Sequence, residues 1–255
     1  MLILNYPGIS NLYNRLHEAS IISDQEAMLA DKSQEELDRV KKEAQEYNTR
    51  RGKARNAPKQ DEYQSLLNVN DDGIMGYIEI PKLHIYMVIY HGTGAVELEK
   101  GAGHMERTSL PIGGSDTHAV ITGHRGLPSA ELFTELDKME EKDVFYLHIL
   151  DETLAYEVDQ IEVVLPDQVN EVEVVAGQDL VTLVTCTPYG INSHRLLVTG
   201  KRIPYEQKVT NKSQQVMQSV WQWLLEQKLL LISIIIILMI IIVSVGKAMR
   251  KIRRN

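Results

Sequence analysis

The stretch from Gly73 to Ile203 most limits the possible folds, because it breaks into short apolar segments with a period of two. GYIEIPKLHIYMVIYHG sets Tyr77, Ile78, Ile80, Leu83, Ile85, Met87 and Ile89 around Pro81, which lacks an N–H for a ladder and belongs at a strand edge or break. HAVIT (118–122), DVFYLHIL (143–150), LAYEVDQIEVVL (154–165), LVTLVTC (180–186) and RLLVTGKRI (195–203) follow, separated by turn-forming residues. Helical signal among them is confined to about Ser129–Leu136. So many short strands predict a mainly β domain, a closed or nearly closed barrel. With two Phe and two Trp in 255 residues, Leu, Ile, Val and Tyr must fill its core.

The flanks read differently. From Ser10 to about Arg51 the pattern is helical, and Leu37, Val40, Ala44 and Tyr47 form one narrow apolar stripe. Asp31 or Ser33 suits the cap, and Glu35 and Glu36 suit the first turn. Arg50–Tyr63 is basic and punctuated by Gly and Pro, which predicts a mobile loop. Beyond the barrel, LLLISIIIILMIIIVSVG (229–246) runs 18 residues without a charge. As a helix it covers roughly 27 Å, close to the thickness of a bilayer's hydrocarbon layer. Five cations follow it, Lys247, Arg250, Lys251, Arg253 and Arg254, and Trp221 and Trp223 precede it as an interfacial belt would. The expected topology is a membrane-anchored protein with a cytoplasmic C-terminus and its main domain outside. The division is 1–72 for helices and loop, 73–206 for the barrel, 207–228 juxtamembrane, 229–246 transmembrane and 247–255 for the tail.

The net charge of −8 becomes more negative once those tail cations are set aside, which argues against nucleic acid as a partner. MLILNYPG is too short and lacks the basic residues of a complete signal peptide. Either a segment lies upstream or Met1–Leu4 ends a first membrane helix.

Chemistry centres on the single cysteine. Cys186 ends LVTLVTC and is followed by the turn residues TPYGIN, so the thiol sits where a strand leaves the core. Taken alone, a free cysteine is more often a small inert hydrophobe. His124 ends HAVITGHRG in a similar position, with Gly123 and Gly126 leaving room for a ligand. Arg195 opens the strand after the Cys186 loop, so the two side chains can share one end of a hairpin. Structural roles are the default for the other seven histidines, with His104 and His118 the nearest competitors. The conjunction suits acyl transfer: a thiolate as nucleophile, an imidazole as general acid and base, and a guanidinium for a developing oxyanion. No Asn or Asp can be assigned to orient His124, which disfavours a hydrolytic protease. Zinc-site spacings and a phosphate-loop spacing are both missing.

Three blocks, IYHGTGAVELEKGAGHMERTSLPIGG, ITGHRGLPSAELFTEL and TLVTCTPYGINSHRLLV, follow one another along the chain. In that order they resemble the class C, pilus-associated sortases of Gram-positive bacteria, from about Gly73 to Pro204. The resemblance implies an eight-stranded sortase barrel with His124, Cys186 and Arg195 as catalytic residues and Thr185 as a substrate-binding neighbour. It further implies cleavage of an LPxTG-like sorting signal through a thioacyl enzyme, resolved by a lysine amine of another pilin subunit. No cofactor is expected, and the partners are pilin subunits and the membrane. Two alternatives remain open: a housekeeping sortase that uses a cell-wall amine, and a catalytically silent assembly scaffold. One departure stands out. The family's lid carries an Asp-Pro-aromatic motif, but Arg50–Tyr63 offers only Ala57-Pro58-Lys59, so no lid residue is assigned.

Overall fold

Alternation does close the strands on themselves. In the computed structural model, which describes residues 6–53, 60–127 and 132–205, eight strands form a closed barrel in the order β1-β2-β3-β4-β7-β8-β6-β5. They are β1 (Ile74–Ile80), β2 (Ile85–His91), β3 (Ala102–His104), β4 (Thr117–Thr122), β5 (Val144–Ile149), β6 (Glu152–Val164), β7 (Asp179–Thr187) and β8 (His194–Ile203). Antiparallel pairing of β1 with β5 closes the ring, while β2–β3 and β4–β7 are parallel. Pro81 opens a one-turn 3-10 segment, Pro81–Leu83, between β1 and β2. Inward residues such as Ile78, Ile80, Met87, Ile89, Ile121, Phe145, Leu147, Leu183 and Val198 are fully buried in one core.

Two helices lie on this barrel, α1 (Tyr6–Ala30) and α2 (Gln34–Lys53). Ser33 caps α2, its hydroxyl accepting the Glu36 N–H at 3.3 Å. The predicted stripe is the buried one: Leu37, Ala44 and Tyr47 are buried, with Val40 packed against the core. Asn48 extends the attachment, donating to the Leu110 carbonyl at 3.1 Å and accepting the Leu110 N–H at 2.7 Å. Ile22 of α1 joins Ile74, Tyr77, Val88 and Tyr90 on the outer face of β1 and β2.

Several expectations need correction. The loop predicted over Arg50–Tyr63 is helical at both ends, where α2 runs to Lys53 and α3 (Gln60–Ser65) begins; residues 54–59, including the Ala57-Pro58-Lys59 stretch, lie outside the described residues. Tyr63 fixes α3, with its hydroxyl 2.9 Å from His104 Nδ1 and accepting the Gly92 N–H at 2.9 Å. Ser129–Leu136 is not a helix where it is described: turns occupy 132–135, and a 3-10 segment, Leu136–Lys138, follows. A short helix, α4 (Ala95–Lys100), stands in the glycine-rich GTGAVELEKGAG.

Among the described residues no helix is long and apolar enough to cross a membrane. The expected juxtamembrane segment, the span at 229–246, the basic tail and Met1–Leu4 all lie outside the described residues.

Candidate active site

The parallel pair β4–β7 and the antiparallel pair β7–β8 bring the three candidate residues together. Thr122 faces Val184 in the last β4–β7 step. The pairing continues past the strand end: Gly123 N–H donates to the Val184 carbonyl at 3.0 Å, and the Thr185 hydroxyl donates to the Gly123 carbonyl at 2.8 Å. His124 comes next on one chain and Cys186 on the other. Across β7–β8, Cys186 faces Arg195 directly. Directly opposed residues share a face with Cβ atoms about 5 Å apart, so the two side chains leave the sheet as neighbours.

That face is the outside of the barrel. Leu183 and Val198 are paired and belong to the interior core, whereas the next pair, Val184 and Leu197, belongs to a separate outer cluster with Val120 and Val169. Counting two residues on from Val184 puts Cys186 on the outer wall. Val169 lies in the 3-10 segment Pro166–Glu171 between β6 and β7, which roofs part of this wall. Cys186, His124 and Arg195 are each half-buried. One nitrogen of Arg195, Nη1, donates to the carbonyls of Asn192 and His194 at 3.1 and 3.0 Å, which steadies the guanidinium over the turn after Cys186.

Glycines shape the segment carrying the imidazole. A Cβ at Gly123 would lie 2.7 Å from the ring of fully buried Phe133, whose N–H donates back to the His124 carbonyl at 3.1 Å. Gly126 has φ +79 and a Cβ there would come within 3.0 Å of the Tyr189 ring. Together these contacts fold the chain tightly around His124.

Thr185 behaves unlike its expected substrate-binding role. It faces Leu196 on the interior side, is 1% exposed, and gives its hydroxyl to Gly123. It is a tie between the two chains that carry His124 and Cys186. His104 and His118 are buried and structural. The carbonyl of Ser109 faces His104 Nε2 at 2.8 Å, so that nitrogen carries the proton and Nδ1 accepts from Tyr63. His118 likewise donates from Nδ1 to the Glu173 carbonyl and accepts at Nε2 from Thr182, and burial holds its imidazole below the ordinary range. Sequence reasoning passed over Arg125, the residue after His124. Its guanidinium bonds Thr187, the residue after Cys186, and pairs with Asp137.

The Sortase domain family model matches residues 78–203, and crystal structures match more of the chain than that. Sortase C1 of Streptococcus agalactiae superposes with a TM-score of 0.70 at 42% identity, covering 73% of this chain and all of that one. This chain belongs to the sortase family. Sortase C of Streptococcus pneumoniae, whose structure is described as informing pilin substrate specificity, gives a TM-score of 0.68 at 46% identity over 74% of this chain and all of that one. Sortase C of Clostridium perfringens, solved with the C-terminal cell wall sorting motif, gives 0.66 at 43% over 73% of this chain and 99% of that one. Class C sortases are thus strong structural matches. The matched segment spans 47%, 63% and 59% of the curated sortases to which the chain is similar.

Proposed function

We propose that this sortase is a membrane-anchored cysteine transpeptidase that polymerises pilin. One observation carries the reading. Cys186 opposes Arg195 on the outer wall, and His124 stands at the end of the strand parallel to the thiol's own.

In this reading the Cys186 thiolate attacks the threonine carbonyl carbon of an LPxTG-like signal. Arg195 stabilises the oxyanion of the tetrahedral intermediate. His124 then gives its proton to the departing glycine amine, and the C–N bond breaks to leave a thioester on Cys186. A lysine amine of a second subunit attacks that thioester and passes a proton to His124. Collapse forms an isopeptide bond and returns the thiolate. Exposed Tyr189 and Ile191 on the β7–β8 loop would offer apolar surface beside the thiol for the leucine and proline of the signal. The span at 229–246 and its basic flank would hold the barrel at the outer membrane face, beside its substrates.

The purified full chain, incubated with an LPxTG peptide, should yield a thioacyl adduct on Cys186 detectable by intact-mass spectrometry. Absence of the adduct, or an adduct that survives Cys186→Ala, overturns the reading. A housekeeping role is favoured by one observation, the 32% identity to sortase A of S. agalactiae over 117 residues. Offering a pilin lysine and a cell-wall amine in competition separates the two.

A further inference from the structure

The sortase site holds two arginines with different partners. Arg195 is half-buried and faces the open wall beside the thiol. Arg125, next to His124, has a side chain only 7% exposed. A guanidinium so enclosed has to be paired, and three groups surround it. Nη1 donates to the Thr187 hydroxyl at 3.2 Å, Nη2 pairs with the Asp137 carboxylate, and the guanidinium carbon lies 6.0 Å from the centre of the Tyr189 ring. Its Nε–H is buried without a hydrogen-bond partner among the described residues. Leaving a buried donor unmatched costs free energy, and such exceptions ask for a compensating reason.

Connectivity supplies one. Arg125 directly follows His124, and Thr187 directly follows Cys186. Before the reacting pair, Gly123 is tied to Val184 and Thr185. After it, Arg125 is tied to Thr187. The imidazole and the thiol are therefore bracketed on both sides by bonds between their own chains. We propose that Arg125 is a positioning residue for acyl transfer, whose guanidinium fork fixes the separation of His124 and Cys186 by joining Thr187 to Asp137. A side chain 7% exposed offers little surface to a ligand, so positioning comes before substrate contact as its assignment. Lysine cannot replace it, because an ammonium lacks the planar fork that reaches two partners at a fixed angle.

This inference rests on the transpeptidase reading, so its test has an arm that needs no substrate. Full-chain wild type, Arg125→Lys, Arg125→Gln, Thr187→Val and the Arg125→Gln/Thr187→Val double variant are compared by peptide turnover, by thermal melting and by the rate of Cys186 alkylation with iodoacetamide. Both Arg125 variants should lose about 10- to 100-fold in kcat with KM nearly unchanged, the scale expected when a reacting pair shifts by about 1 Å. Thr187→Val should fall in the same direction, and the double variant should be no worse than Arg125→Gln alone. Alkylation should slow in the Arg125 variants, and His124→Ala, run alongside, should slow it too. Unchanged kcat with a lowered melting temperature would make Arg125 merely structural and overturn the proposal. A raised KM at constant kcat would make it a substrate contact, with the same result. If wild type does not turn over the peptide, the transpeptidase reading fails; wild-type alkylation rates in the Arg125 variants would separately sink the positioning role.

Discussion

On the outer wall formed by β1, β2 and β5, polar groups are matched to one another; on the wall formed by β4, β7 and β8, the end is left open for chemistry. Glu79 accepts from the Tyr86 hydroxyl at 2.8 Å with one oxygen and lies 3.0 Å from His148 Nε2 with the other. His148 stacks on Tyr77, ring centres 4.2 Å apart, and Tyr77 donates to Glu26 of α1 at 2.8 Å. Burial first, and then the nearby carboxylates, push the Tyr77 and Tyr86 phenols well above their usual range, so both remain donors. A helix covers that wall. Across the barrel the 3-10 segment at Pro166–Glu171, with Met105 and Val172, covers part of the strands, and Cys186, His124 and Arg195 stay within reach of solvent. Identical alternation built both walls; what lies over them separates scaffold from site.

Substitutions can break this contrast. Cys186→Ala should abolish the thioacyl adduct altogether, and His124→Ala should cut kcat by about 10²- to 10⁴-fold, without loss of melting temperature in either case. Arg195→Ala should cost roughly 10²- to 10³-fold in kcat. If these variants instead unfold the chain, the open wall is as structural as the closed one. Phe133→Ala empties a fully buried position under His124 and should cost about 3–5 kcal/mol in denaturant titrations, with activity lost through the same collapse. Glu79→Gln should cost about 1–3 kcal/mol while leaving kcat per folded molecule intact. A kcat effect there would couple the two walls.

The smallest effect concerns acid. Burial lowers the proton affinity of His118 in the folded chain, so the unfolded chain binds that proton more readily. Stability should be complete above about pH 6.5 and fall as pH drops below it. His118→Asn should flatten that limb of a melting-temperature profile; an unchanged slope would assign the acid sensitivity elsewhere.

Much of this was legible locally. Strands of six or more residues carry enough alternation to be read, and the stripe on α2 is a complete helical face. β3 escaped because Ala102–His104 is three residues long and contains a glycine, too little for a period. Ser129–Leu136 misled because apolar spacing alone does not distinguish helix from the turns that bury Leu132, Phe133 and Leu136. Within the site, the Cys186–Arg195 neighbourhood follows from a hairpin, which sequence shows. The outward direction of the thiol, the inward direction of Thr185 and the Arg125–Thr187 bond all depend on the parallel β4–β7 register. No short-range pattern encodes pairing between segments 62 residues apart.

That separation has a consequence during synthesis. His124 is made long before Cys186, and the two meet only after β5, β6 and β7 exist and a large loop has closed. Loop closure of that span must precede any reward from the contacts, so the pair assembles late in folding. The nascent chain carries its histidine without its thiol, then its thiol without Arg195, and the three stand together only in the closed barrel. Timing, as much as shape, decides when the single cysteine meets its two neighbours.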